Sequence, residues 1–198
     1  MSHSYWQRGD RRPDERDVTA YHEAGHAVAS VRLRRGISLV TIQADGALAG
    51  RCVSPSLRRI GPRLEAIPQT SADIRPLRRP LSREDAQLLG AIRREMTIRL
   101  AGPISQRSFY ERTAPGIALA VADYGTERDR QQVADFADVL CRLAGRSSPG
   151  VEVRAAESRA RELIVRPESW EAVTRTAQAL LSSGTLSGRM VRRLVFGR

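Results

Sequence analysis

Ala20-Tyr21-His22-Glu23-Ala24-Gly25-His26-Ala27-Val28 is the stretch that decides how the rest of this chain must fold. It contains His-Glu-x-x-His. On an α-helix four residues advance about 400°, so His22 and His26 leave one face a turn apart and both imidazoles can reach a single ion. Glu23 lies about 60° around the helix from His26, close enough to hold a water at that ion without ligating it. Two neutral imidazoles, a carboxylate base and an open position for water are the parts of a metal hydrolase. Ala24, Gly25 and Ala27 are small, so another segment and a substrate can approach this helix closely. The chain has three histidines, and this motif uses two of them; chance spacing is therefore the poorer explanation.

Outward from the motif, Pro13 followed by Asp14 and Glu15 predicts a helix start, with fixed φ and acids against the positive helix end. Val18, Tyr21, Gly25 and Val28 give it an inward face, and Gly36 is its expected stop. Ile37 to Ile42 is rich in β-branched residues and predicts a strand. Asp45-Gly46 is a turn signal, and Leu48 to Val53 is the expected return strand. Residues 1–12 read as a flexible basic arm and 13–198 as the folded domain. Within it, 54–81 is an Arg/Pro-rich loop or insertion, punctuated by Pro55, Pro62, Pro68, Pro76 and Pro80.

Ser82 with Glu84 and Asp85 caps a further helix running to Leu100, which Gly102-Pro103 is expected to break. Ile104 to Tyr110 then reads as a separate short segment. Another helix opens near Gly125 to Asp129, Gly145 to Gly150 reads as a linker, and helices are expected at about 151–166, 168–183 and 187–195. The fold class is mostly α: a helical domain with a small β element after the His-Glu-x-x-His helix and C-terminal helices over 151–198.

Composition narrows the function. At 198 residues the chain is long enough for one domain with a sizeable core. No run of about 18 apolar residues occurs, and Met1 to Arg12 is polar and basic, so neither a membrane span nor a signal peptide is expected. Cys52 and Cys141 read as two reduced thiols in a cytoplasmic protein rather than a disulfide framework. The net charge of +11 comes from 33 basic residues, all arginine. They are spread along the chain, aromatics are 5%, and no base-stacking platform stands out, so nucleic acid is not the expected partner. With no lysine anywhere, a phosphate-binding Gly-x-x-x-x-Gly-Lys loop is ruled out, and no ATP site of that kind is encoded.

A catalytic zinc usually takes three protein ligands. His3 lies in the N-terminal arm. A metzincin site would need Gly at 29 and His at 32, where Ala29 and Arg32 stand. A carboxylate must therefore close the site. Chemistry leaves Glu84, Glu95, Asp123, Glu127, Asp129 and Asp135 as candidates, and spacing does not rank them.

Ala20 to Val28 resembles the zinc helix of the FtsH-like family, the membrane-tethered ATP-dependent zinc proteases. Val40-Thr41-Ile42 and Leu48-Ala49-Gly50 are similar to the strand pair behind that helix. Arg99 to Gly102 stands where the family has a Gly-rich helix end. Gly125 to Asp129, followed by Ala134, is similar to the segment that supplies the family's third zinc ligand. Ala156 to Leu163, Ala177 to Leu181, Leu186 and Gly188 are similar to the C-terminal helices. The resemblance implies zinc on His22, His26 and Asp129, with Glu23 as general base.

It also implies a metalloendopeptidase acting on unfolded or extended protein, a homo-oligomer, and a separate AAA+ unfoldase as partner. The motor and membrane segments of the family have no counterpart here. Ser105-Gln106 stands where the family usually has acids. The strand near Val40 to Ile42 is the expected edge for pairing with an extended substrate. The contrasting expectation is a non-catalytic FtsH-like scaffold or adaptor with a retained metal site, against which the intact Glu23 argues.

Overall fold

The computed structural model describes residues 13–43, 50–53, 76–77, 80–115, 125–145 and 148–197. The arm (1–12), most of the 54–81 loop, His3 and Asp123 lie outside them. Among the described residues the chain is mostly helical, with six helices and one three-stranded sheet.

Helix α1 (Glu15–Arg32) starts where the sequence predicts, with the Asp14 carboxylate accepting from the Arg16 amide at 2.8 Å. Ala20, Ala24, Ala27, Val28 and Ala29 are fully buried, so its second half is enclosed on all sides rather than on one stripe. Small side chains make that possible. Gly25 touches α2 (Arg83–Thr113) so closely that a Cβ there would lie 2.4 Å from Ser105 Oγ and 2.5 Å from the Ala101 carbonyl oxygen. The expected stop at Gly36 is corrected. The helix ends at Arg32, and Arg34 takes the left-handed conformation at φ 58°. The Arg34 and Arg35 amides donate to the Val31 and Ser30 carbonyls, closing the helix end without glycine.

The expected break at Gly102-Pro103 is also corrected: α2 runs for 31 residues straight through it. A proline inside a helix costs about 3 kcal/mol through a lost hydrogen bond and a ring clash. Ile98, Leu100, Ile104 and Phe109 are all buried around it, and each such side chain recovers about 1.5–3 kcal/mol. Packing therefore outweighs the local preference. At the other end the Ser82 cap is as read, accepting from the Asp85 amide at 3.0 Å.

Strand β1 (Leu39–Thr41) pairs antiparallel with β2 (Arg51–Val53), Val40 facing Cys52. On its other side it pairs antiparallel with β3 (Thr185–Ser187), Val40 facing Leu186. The order β2-β1-β3 puts β1 in the middle, and the Ile42 amide donates to the Gly184 carbonyl. Val40 to Ile42 is thus no edge, and the expectation of substrate pairing there is overturned. The third strand, Thr185–Ser187, corresponds to no expectation from the sequence, which places only a helix end at Gly184 and a helix from about 187 there. Gly188, the first residue of the last helix, passes so near Ile37 that any Cβ would overlap its carbonyl. Leu48 and Ala49 lie outside the described residues.

Helices α3 (Glu127–Ala144), α4 (Pro149–Val165), α5 (Pro167–Ser183) and α6 (Gly188–Phe196) complete the fold. Pro149-Gly150 belongs to α4 rather than to a linker, and prolines open both α4 and α5, where a missing N–H is harmless. Helix α1 packs chiefly on α2 and α5, while α2 also packs on α3 and α4. Arg93 on α2 donates through two nitrogens to Glu152 on α4, at 3.1 and 3.0 Å. No helix among the described residues is long and apolar enough to cross a membrane. Cys52 and Cys141 are both free thiols.

Candidate metal centre

Helix α1 delivers His22 and His26 one turn apart, as their spacing requires. The first turn of α3 delivers Asp129 to the same point. His22 Nε2 lies 3.0 Å from Asp129 Oδ2, His26 Nε2 lies 3.3 Å from the same oxygen, and the two Nε2 atoms are 3.0 Å apart. These three residues form a group that can hold a metal ion. Glu84 and Glu127 are exposed elsewhere, and Asp135 accepts from Gln131. Buried Glu95 sits between Arg35 and Arg99 at 3.4 and 3.5 Å. Of the described candidate acids, Asp129 alone joins the imidazoles.

The ring protons decide what the triangle wants. His26 Nδ1 is 2.9 Å from the Ile98 carbonyl oxygen, which can only accept, so the proton sits on Nδ1. His22 Nδ1 stands 2.9 Å from Gln106 Oε1 and donates to it in the same way. With both Nδ1 protons committed, neutral rings turn two Nε2 lone pairs and a carboxylate oxygen toward one point. Only a cation relieves that arrangement: a divalent metal, or in its place a proton. Burial works against an imidazolium at His26, yet Asp129 and Glu23 together hold its pKa up to about 9. Burial would also raise Asp129, but His26 and His22 carry its carboxyl well below the ordinary range.

Gly102 supplies the room. A Cβ at this position would lie 2.4 Å from His26 Nε2 and 2.9 Å from His22 Nε2, so only a bare backbone lets α2 pass the ligating atoms. Ile98, Gly102 and Gln106 recur every fourth residue and form one stripe of α2 facing α1. That stripe was hidden in the sequence, because Gly102-Pro103 reads as a helix end. In the sequence Ser105-Gln106 stands out only as a departure from the FtsH-like pattern. Gln106 orients His22, while Ser105 packs against Gly25.

Glu23 is buried at 7% exposure, and burial raises its pKa. Among the described residues its Oε2 is buried without a hydrogen-bond partner, an uncommon state for a carboxylate. The chain entering β2 closes over it, since a Cβ on Gly50 would lie 2.8 Å from Glu23 Cγ and 3.1 Å from its Oε1. Arg99 borders the site, with Nη1 3.7 Å from Asp129 Oδ1.

Fold and site together define a mostly helical domain with a two-histidine, one-aspartate group that can hold a metal ion, beside a buried glutamate. No protein-family model matches the chain, and no curated protein matches it.

Proposed function

We propose that this chain is a zinc-dependent metalloendopeptidase of the FtsH-like kind, cleaving unfolded or extended protein segments. The observation that carries the proposal is the approach of Asp129 Oδ2 to both imidazole Nε2 atoms, at 3.0 and 3.3 Å. Two nitrogens and one carboxylate oxygen form a donor set suited to catalytic zinc, and they neutralise only part of its charge. A zinc ion held there supplies Lewis acidity, polarising a carbonyl and acidifying water. The protein's own residues do the rest. Glu23, with Oε2 uncommitted, accepts a proton from the attacking water and returns it to the departing amine. His22 and His26 are held in one tautomer by Gln106 and Ile98, so the protons of the reaction pass through Glu23.

An extended substrate is best received by β2. Among the described residues it is an outer strand of the sheet, and Gly50 at its entry lies against Glu23. Main-chain pairing there would make cleavage depend on disorder more than on side-chain identity. A separate AAA+ unfoldase supplying such segments, and assembly with further copies of the chain, belong to the same proposal. The test is digestion of casein by protein of measured metal content, with and without chelator. Glu23→Gln is expected to keep its metal and lose cleavage by at least about a hundredfold. Full activity in that variant would remove the mechanism. Absence of cleavage by metal-loaded protein would leave a scaffold with a retained metal site.

A further inference from the structure

On a different face of α2 from the metal centre lies a cavity of about 390 Å³, within the size range of small-molecule sites. Its walls come from three helices: Leu33 just past the end of α1, Gly90, Arg93, Arg94 and Thr97 of α2, and the final turns of α4. Helix α4 and the residue after it contribute Arg159, Glu162, Leu163 and Arg166. Arg93 is already matched by Glu152. Arg94, Arg159 and Arg166 are exposed and form no ion pair with a described acid, while Glu162 bonds Ser158. Three guanidinium groups that no described acid pairs therefore line the cavity with one carboxylate, beside the apolar Leu33 and Leu163.

Gly90 points the same way. It stands in mid-helix, where glycine costs about 1 kcal/mol relative to alanine. The nearest side-chain atom to a Cβ there would be Arg94 Nη1, at 3.7 Å. Among the described residues nothing in the packing demands a glycine, and its bare backbone leaves the cavity open beneath the Arg94 head.

We propose that this cavity binds a small organic dianion carrying an apolar group. Phosphate monoesters and dicarboxylates share the required chemistry: two negative charges for planar, fork-shaped donors, and an apolar body for the two leucines. The site is independent of the metal centre, and its test does not use activity.

The experiment is calorimetric titration of the full chain with phenyl phosphate, phenylsuccinate and uncharged benzyl alcohol. Saturable one-to-one binding of at least one dianion, with none for the alcohol, is expected. The dianion that binds distinguishes a phosphate source from a carboxylate one. Arg94→Gln with Arg159→Gln is expected to weaken binding at least about tenfold. Arg189→Gln with Arg192→Gln on α6 removes the same charge elsewhere and is expected to change it less than about twofold. Gly90→Leu, a better helix former whose side chain enters the cavity, is expected to block binding without lowering the melting temperature. Equal losses in the two arginine pairs, or no saturation by either dianion, would overturn the proposal.

Discussion

Replacing Gly102 by alanine sets two physical rules against each other. Helix propensity alone says that glycine to alanine inside α2 gains about 1 kcal/mol, or roughly 2–4 °C in a chain of this size. The tertiary surroundings say the reverse. The new Cβ would stand 2.4 Å from His26 Nε2, 2.5 Å from His26 Cε1 and 2.9 Å from His22 Nε2. Ordinary contact begins near 3.4 Å, so the His26 ring must retreat by about 1 Å. Zinc–nitrogen bonds are about 2.0–2.1 Å long and tolerate about 0.2 Å, so that retreat ends coordination by at least one ring. The expected result is a loss of metal affinity of at least about a hundredfold, at the upper end of what removing an outer-shell partner costs. Gly90→Ala on the same helix is the control, because among the described residues its Cβ meets only Arg94 Nη1, at 3.7 Å. It should raise the melting temperature by the propensity amount and leave the metal alone. Competition with a chromophoric chelator reads the affinity, and thermal unfolding with and without chelator reads stability. Should Gly102→Ala hold zinc within about threefold of the unsubstituted protein, the geometry assigned to the centre is wrong.

Asp129→Asn keeps the shape and removes the charge; metal content after dialysis is expected to collapse, and retention of one ion per chain would mean that another acid closes the site. Gln106→Leu deprives His22 Nδ1 of its acceptor and should weaken metal binding by about 10–100-fold, read by the same competition. In chelator-treated protein His26 takes up its proton more readily folded than unfolded, with a pKa raised to about 9 against an ordinary value near 6.5. The stability this contributes is complete below about pH 6.5 and is lost as pH rises through about 9, so the melting temperature should fall across that window. Metal-loaded protein should not show the fall, because the ion takes the proton's place. A flat profile in the metal-free protein would show that no imidazolium holds the triangle together.

What the sequence determined by itself is whatever depends on neighbours along the chain. The four-residue interval fixes His22 and His26 on one face of α1, and the adjacent position fixes Glu23 beside them. Asp14 and Ser82 mark helix starts, because caps and first turns are settled by a few consecutive residues. Tertiary structure decided everything that joins distant segments. Asp129 meets His22 across 107 positions and Gln106 meets it across 84, and no local rule selects either from the chain's other polar residues.

The run of α2 through Gly102-Pro103, the burial of β1 between two strands, and the place of β3 share one cause. Each is a local preference or indifference overruled by contacts between elements far apart in the chain, whose summed burial exceeds the few kcal/mol a single residue commands. Gly102 is the sharpest instance. Read among its neighbours it ends a helix; packed against α1 it is the space in which the two imidazoles and the aspartate can meet.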